Sequence, residues 1–184
     1  MLTDDYKAQL QLKHAQDKWG TTGCRNMGPR IVQFLKERRD VKTVLDFGAG
    51  QQTLMEYVRD NLPHWDQIVW TNYDPGIPGI DEAPEKQFDL IVSSDVLEHI
   101  EPEQLPAVLK WLYEHTKYYM FFLIACDPCY GKLPDGRNAH LIVETPEWWK
   151  DRLKDHGTPM MWAKEIRRKR RSERTICLIQ IDKA

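Results

Sequence analysis

The chain has 184 residues, of which 41% are hydrophobic and 29% charged, with a formal net charge of −2. That length suits one ordinary domain burying roughly two thirds of its unfolded surface. The near-neutral charge excludes a global attraction to polyanions, so any nucleic-acid contact needs a local basic patch. No run approaches the roughly 18–20 apolar residues that cross a bilayer. The opening residues also lack the basic-then-apolar plan of a secretory leader, so a cytoplasmic location and no membrane partner are expected. Cysteines stand at 24, 126, 129 and 177, too sparse for a disulfide framework. Cys126-Asp127-Pro128-Cys129 has CxxC spacing but no second pair, and is read as two loop thiols.

Taken in chain order, residues 4–18 read as a helix with Tyr6, Leu10, Ala8 and Leu12 as its apolar stripe. Trp19-Gly20-Thr21-Thr22-Gly23 breaks it, and a second helix runs over 28–38 with Pro29 in its first turn. Residues 41–46 form a β-branched strand, 53–61 an amphipathic helix and 68–73 a second strand. The Pro/Gly-rich stretch 75–84 leaves room for a very short third strand around Ile80. Residues 88–93 are apolar enough for a strand buried on both faces. A helix over 103–116, a strand over 118–125 and a helix over 146–156, capped by Thr145 ahead of Pro146, follow. Two strand-like runs, 160–166 and 175–181, close the chain as an antiparallel edge hairpin. Alternating strands and helices indicate a mostly parallel α/β sheet with right-handed crossovers. One domain is expected over 1–184, with helices and a lid in 1–40 and a ligand-binding core in 41–184.

The chemistry begins where the first strand meets the helix after it, at Asp46-Phe47-Gly48-Ala49-Gly50. Open α/β sheets bind ligands at the carboxyl ends of their strands, and glycines there let a ligand approach the backbone. Asp74 ends the next strand, where a carboxylate accepts hydrogen bonds from ribose hydroxyls. A dinucleotide turn requires G-x-G-x-x-G, but the third position here is Thr53. Asp46 would also repel a pyrophosphate, whereas it suits the ammonium end of S-adenosylmethionine. The charge logic thus favours the methyl donor over NAD.

Val44 to Gly50 resembles motif I of class I methyltransferases, Asn72-Tyr73-Asp74-Pro75 the acidic end of their second strand, and Phe88 to His99 their fourth-strand motif. The resemblance covers about 25–182. It implies a Rossmann-like three-layer sandwich whose seven-stranded, mostly parallel sheet ends in an antiparallel hairpin. It also implies that Asp46, Gly48 and Gly50 hold the methionine part, with Ala49 in the same turn, and that Asp74 holds the ribose. Asp81 would reach the adenine amino group, and Ser94, Asp95 and Val96 would line the donor site. The sequence departs from the family at Gln52, which stands where a third glycine is usual.

Asp95, Glu98 and His99 follow the fourth strand directly. Residues three and four apart share a helix face, so these groups could converge on a divalent cation, with His140 completing the site. The spacing resembles the E-x-x-E-H signature of magnesium-using O-methyltransferases, with Asp in place of the first Glu, and Mg²⁺ or Mn²⁺ would be the ion. Alternatively, His140 or His99 acts as a general base, since an ordinary imidazole titrates near pH 6.5. A structural role for Glu98 and His99 is the commoner alternative. Methyl transfer itself needs mainly alignment and exclusion of water, because the sulfonium is already activated.

Trp19, beside a Gly/Thr-rich break, is a candidate lid residue over the donor. The basic segment 164–174 is a solvated hairpin tip in the simpler reading and a phosphate contact in the other. The leading expectation is a methyltransferase acting on oxygen or nitrogen of a small-molecule acceptor. An RNA or nucleotide methyltransferase is the second reading. A non-catalytic donor-binding module that regulates a partner is the third.

Overall fold

The computed structural model describes residues 2–15, 19–154, 158–169 and 172–182; over 158–182 only the Ile181 side chain is included. Helix α1 (Asp4–His14) starts at Thr3, whose hydroxyl accepts from Tyr6 N at 3.3 Å. Asp4 and Asp5 occupy its first turn and Lys13 and His14 its last, as the helix dipole favours. The buried face is Tyr6, Gln9, Leu10 and Lys13. Leu12 lies on the opposite side and is 60% exposed, and Ala8 is exposed as well. The stripe expected through Ala8 and Leu12 is therefore corrected to a 6-10-13 face, which the helical repeat brings into line. The expected extension over 16–18 lies outside the described residues.

A short α2 (Gly23–Asn26), not expected from the sequence, leads into α3 (Gly28–Glu37). The core elements follow as β1 (Thr43–Phe47), α4 (Thr53–Asn61), β2 (Val69–Tyr73), β3 (Phe88–Ser94), α5 (Leu105–His115) and β4 (Thr116–Ala125). The chain closes with α6 (Pro146–Leu153), β5 (Thr158–Lys169) and β6 (Ser172–Asp182).

The strand order is β2-β1-β3-β4-β6-β5. Neighbours are parallel from β2 through β4, and β6 runs antiparallel to both β4 and β5. Among the described residues the sheet therefore has six strands rather than the seven expected, because 75–84 contains none. There Ile80 turns back instead, its carbonyl accepting from Asp74 N and its amide donating to Ile77 O. Pro75, Pro78 and Pro84 each remove a donor that a strand would need.

Two-residue alternation divides β4 between the layers. Met120, Phe122 and Ile124 face the apolar cluster under α5 and α6, with Leu105, Leu112 and Trp149. Tyr119, Phe121 and Leu123 face the cluster under α3 and α4, with Ile31, Leu35, Leu54 and Val58. β1 does the same, Leu45 on one side and Val44 on the other. Asp89 interrupts the apolar run of β3 and is held at the start of that interior strand. Burial would raise its pKa, but amide donors from Lys42 and Thr43 and the Lys117 ammonium outweigh burial and lower it. Chain order reverses at β1, which lies between β2 and β3, so a crevice opens above the carboxyl ends of these strands.

Candidate functional site

The crevice holds a cavity of about 230 Å³ floored by the ends of β1, β2 and β3 and covered by the N-terminal segment. Its tightest wall is the glycine turn after β1. Gly48 has φ +79° and Gly50 φ +52°, backbone that favours glycine. A methyl on Gly48 would lie 2.3 Å from Val96 Cγ2, and one on Gly50 would lie 2.5 Å from Gly20 O. The turn's amides are committed to the protein. Gly48 N and Ala49 N donate to Tyr73 O, Gln51 N to Gly20 O and Gln52 N to Ala49 O. Gly50 N donates to Asp74 Oδ2 at 2.9 Å. Such a turn has no amides left over to cradle a phosphate, unlike a nest built for anions.

Gln52 itself has φ 60°, the left-handed conformation that accounts for glycine being usual at this place. Its side chain turns toward β2, where Oε1 accepts from Asn72 Nδ2 at 2.8 Å. The departure at this position is thus accommodated outside the cavity, in the cap of α4.

Two carboxylates set the electrostatics. Asp46 is 2% exposed and its Oδ2 has no partner. Burial, with the neighbouring Asp74 charge, pushes its pKa up to about 8. Asp74 is better supplied: Gly50 N reaches Oδ2, Gly76 N reaches Oδ1 at 2.9 Å, and His14 Nε2 lies 3.4 Å from Oδ1. Burial lowers the His14 pKa, against the opposing pull of Asp74. A site with one partnerless buried carboxylate is complementary to a ligand cation.

The cover comes from residues 19–22. Trp19 and Gly20 line the cavity, and the Trp19 ring stands edge-on to His99 with centroids 5.2 Å apart. Lys13 Nζ lies 4.7 Å from the Trp19 ring centre, a cation–π contact that fixes the indole from behind. Thr22 Oγ1 donates to Asp95 Oδ2 at 3.1 Å, tying this cover to the end of β3.

Beyond β3 lies a second polar group. Asp95 has φ 57°, and a single 3₁₀ turn, Leu97–His99, follows instead of a helix. This left-handed step sends the Asp95 carboxylate to Thr22, away from the face it was expected to share. Glu98, His99 and His140 do converge, each bringing one ligand atom within 4.8 Å of the others. His99 Nδ1 pairs with Ala139 O at 2.7 Å and His140 Nδ1 with Asp127 O at 2.5 Å. A carbonyl accepts only from N–H, so each ring carries a proton on Nδ1. Burial and the adjacent His140 push the His99 pKa down to about 3, so this ring is neutral. Glu98 is fully buried, with Oε1 accepting from Ala125 N at 2.8 Å and Oε2 without a partner. Burial and Asp95 raise its pKa well above the ordinary carboxylate range. The neutral His99 imidazole, the His140 ring anchored likewise through Nδ1, and one partnerless Glu98 oxygen form a donor set that fits a divalent cation.

Of the residues singled out in the sequence, Asp46, Gly48, Ala49, Gly50 and Asp74 line the cavity. So do Ser94, Asp95 and Val96, together with Trp19, His99 and His140. Asp81 does not; it is exposed and accepts from Gly79 N in its own loop at 3.0 Å. Sequence reasoning missed His14, Gly20 and Thr22, which act through contacts with segments 30 to 73 residues away. The small residues after Trp19 were the one available signal, since they allow backbone to rest on backbone. Cys129 also lines the cavity, with Gly131 N donating to its sulfur at 3.3 Å; Cys126 is buried, and neither is in a disulfide.

A family described as a methyltransferase domain matches residues 16–169. Comparison with curated proteins returns no match. Among solved structures, TehB from Haemophilus influenzae is 17% identical with a TM-score of 0.62, over 84% of this chain and 62% of that one. This chain thus spans less than two thirds of that protein. The Burkholderia thailandensis 1,6-didemethyltoxoflavin-N1-methyltransferase, solved with its acceptor and S-adenosylhomocysteine, is 16% identical with a TM-score of 0.67 over 98% and 89%. The magnesium protoporphyrin IX methyltransferase of Synechocystis PCC 6803, with bound S-adenosylhomocysteine, is 13% identical with a TM-score of 0.63 over 98% and 97%. At these identities the likeness is one of fold.

Proposed function

From the premise that the chain belongs to the methyltransferase domain family of S-adenosylmethionine-dependent enzymes, we propose that it methylates oxygen or nitrogen of a small-molecule acceptor. The observation that carries this reading is the pairing of a fully committed glycine turn with a partnerless Asp46 carboxylate. Such a site rejects a pyrophosphate and receives an ammonium. The donor's methionine end would lie on Asp46 and the turn, its ribose near Asp74, and its methyl group toward Ser94 to Val96. The acceptor would enter on the side of Trp19, His99 and His140, where the fold offers an apolar rim through Leu2, Leu10 and Ile100. Two of the proteins of similar fold named above carry small-molecule acceptors in their own descriptions, 1,6-didemethyltoxoflavin and magnesium protoporphyrin IX.

The bond that forms joins the acceptor lone pair to the methyl carbon, and the bond that breaks is methyl carbon to sulfur. The sulfonium leaves as neutral thioether, so the protein need only align the two and exclude water. A hydroxyl or amine acceptor must also lose a proton. His99 is poorly suited to take it, since its pKa is near 3; His140 remains the candidate base. A second reading follows from the anchored imidazoles: Glu98, His99 and His140 would hold a divalent cation that lowers the pKa of an acceptor hydroxyl. Asp95 is engaged by Thr22 instead.

Calorimetry with S-adenosylmethionine, S-adenosylhomocysteine and NAD tests the donor, and tight NAD binding without either sulfur ligand would end this reading. Transfer of a labelled methyl group onto metabolite and RNA fractions tests the acceptor class. Label confined to RNA would overturn the small-molecule proposal and favour a phosphate-contacting role for 164–174, whose side chains lie outside the described residues.

A further inference from the structure

His14 stands at the last turn of α1, far in sequence from Asp46, the glycine turn and Asp74, yet its ring packs among the cavity residues. A methyl built on Gly20 would lie 3.1 Å from its Cε1, and one on Gly76 would lie 2.7 Å from its Cδ2. Its side chain is 9% exposed, its Nε2 faces Asp74 Oδ1 at 3.4 Å, and it lines the cavity. The other ring nitrogen, Nδ1, is buried without a partner. A buried polar atom left this way costs free energy until something fills its bond.

The count of acceptors around Asp74 says what that something is. A carboxylate offers about four lone-pair positions. Gly50 N takes one on Oδ2 and Gly76 N one on Oδ1, and the His14 ring stands over another, its Nε2 3.4 Å from Oδ1. About one position remains, but a ribose diol brings two hydroxyl donors. A neutral imidazole whose single proton faces the Asp74 carboxylate keeps a bare lone pair on Nδ1, which is the missing second acceptor.

We propose that His14 is a donor-binding residue: its Nδ1 accepts a hydrogen bond from one ribose hydroxyl of the methyl donor while Asp74 accepts from the other. The N-terminal helix thereby reads the sugar as well as covering it. This proposal rests on the cavity being the donor site.

The test is calorimetry with S-adenosylhomocysteine and with its 2′-deoxy and 3′-deoxy analogues, on the wild-type chain, His14→Phe and His14→Gln. The wild type is expected to bind each deoxy analogue about tenfold more weakly than the parent, the worth of one hydrogen bond. His14→Phe should bind the parent about tenfold more weakly and lose discrimination against one of the two analogues only. His14→Gln, which can donate to Asp74 through its amide N–H and accept through its oxygen, should recover part of both. A merely structural role would weaken all three ligands alike in His14→Phe, and that outcome overturns the proposal. Nitrogen NMR of histidine-labelled wild type covers a variant that fails to fold: the His14 Nδ1 signal must shift on adding S-adenosylhomocysteine, and a stationary signal overturns the assignment. If the wild type binds no S-adenosylhomocysteine at all, the donor reading falls and takes this inference with it.

Discussion

The cavity has two polar ends that use the same residue types differently. At the proposed donor end, Asp46, Asp74 and His14 surround a turn whose amides are all spent inside the protein. At the other end, Glu98, His99 and His140 are anchored from behind by Ala125 N and by the carbonyls of Ala139 and Asp127. The first end is rigid because backbone fixes it: Gly50 lies against Gly20 and Gly48 against Val96, with no room for a methyl. The second is fixed by hydrogen bonds to side chains, leaving Glu98 Oε2 without a bond. The difference teaches that, on the proposed reading, the first end would select the donor by shape and charge, while the far end would serve a proton or a cation.

The largest expected effect comes from breaking the backbone contact. Gly50→Ala places its methyl 2.5 Å from Gly20 O at φ +52°. It should destabilise the chain by about 2 kcal/mol or more and weaken S-adenosylhomocysteine binding about 100-fold, equivalent to about 3 kcal/mol. Thermal melting and calorimetry read both, and wild-type values would show that the cover does not rest on the turn.

Next in size is the charge at Asp46. With its pKa near 8, the folded chain holds a proton between roughly pH 4 and 8 that the unfolded chain has released. This group's contribution to stability therefore falls as pH rises through that window, and Asp46→Asn should flatten the fall. Donor binding near pH 7 should release a proton, seen as binding heats that depend on the buffer's ionisation heat. Asp46→Asn should abolish that dependence and cost about tenfold or more in affinity for the ammonium-bearing ligand; unchanged proton release would place the ammonium elsewhere.

The far end is sharpened by His140→Ala and by chelation. If a cation is held there, chelator should remove activity, magnesium or manganese should restore it, and His140→Ala should lower activity by about tenfold or more. If His140 instead takes the acceptor proton, chelator leaves the rate unchanged while His140→Ala still lowers it and alters the pH profile. Neither effect would remove this end from the chemistry.

The smallest change is expected at Gln52. Replacement by Gly relieves about 1 kcal/mol of left-handed strain and forfeits a bond to Asn72 of similar worth, so stability should move by less than about 1 kcal/mol in thermal denaturation. Gln52→Val, branched at φ 60°, loses both and should be clearly the less stable. A large loss of donor binding in Gln52→Gly, with stability kept, would mean that the glutamine touches the ligand after all.

The alternation of β4 and the glycine turn were legible in the sequence because both are local. Strand periodicity repeats every two residues, and the turn with Asp46 and Asp74 spans one β-α-β unit. The same locality made Glu98 and His99 visible as a pair. What failed were inferences that assumed regular backbone. Asp95 was assigned to a helix face, but its left-handed step points it at Thr22. Ile80 was assigned to a strand that three prolines and a tight turn exclude. Leu12 was assigned to a stripe that the helix turns toward solvent.

By itself, then, the amino-acid order determined the alternating layers, the committed turn after β1 and the carboxylates at the ends of β1 and β2. Each depends on spacing within a few dozen residues. Only the tertiary structure decided that His14 reaches Asp74, that Gly20 caps Gly50, and that His140 meets Glu98 and His99. Those contacts join segments 30 to 60 residues apart. Their geometry follows from which helix covers which end of the sheet, a choice made by packing the whole apolar core and written in no single stretch of chain.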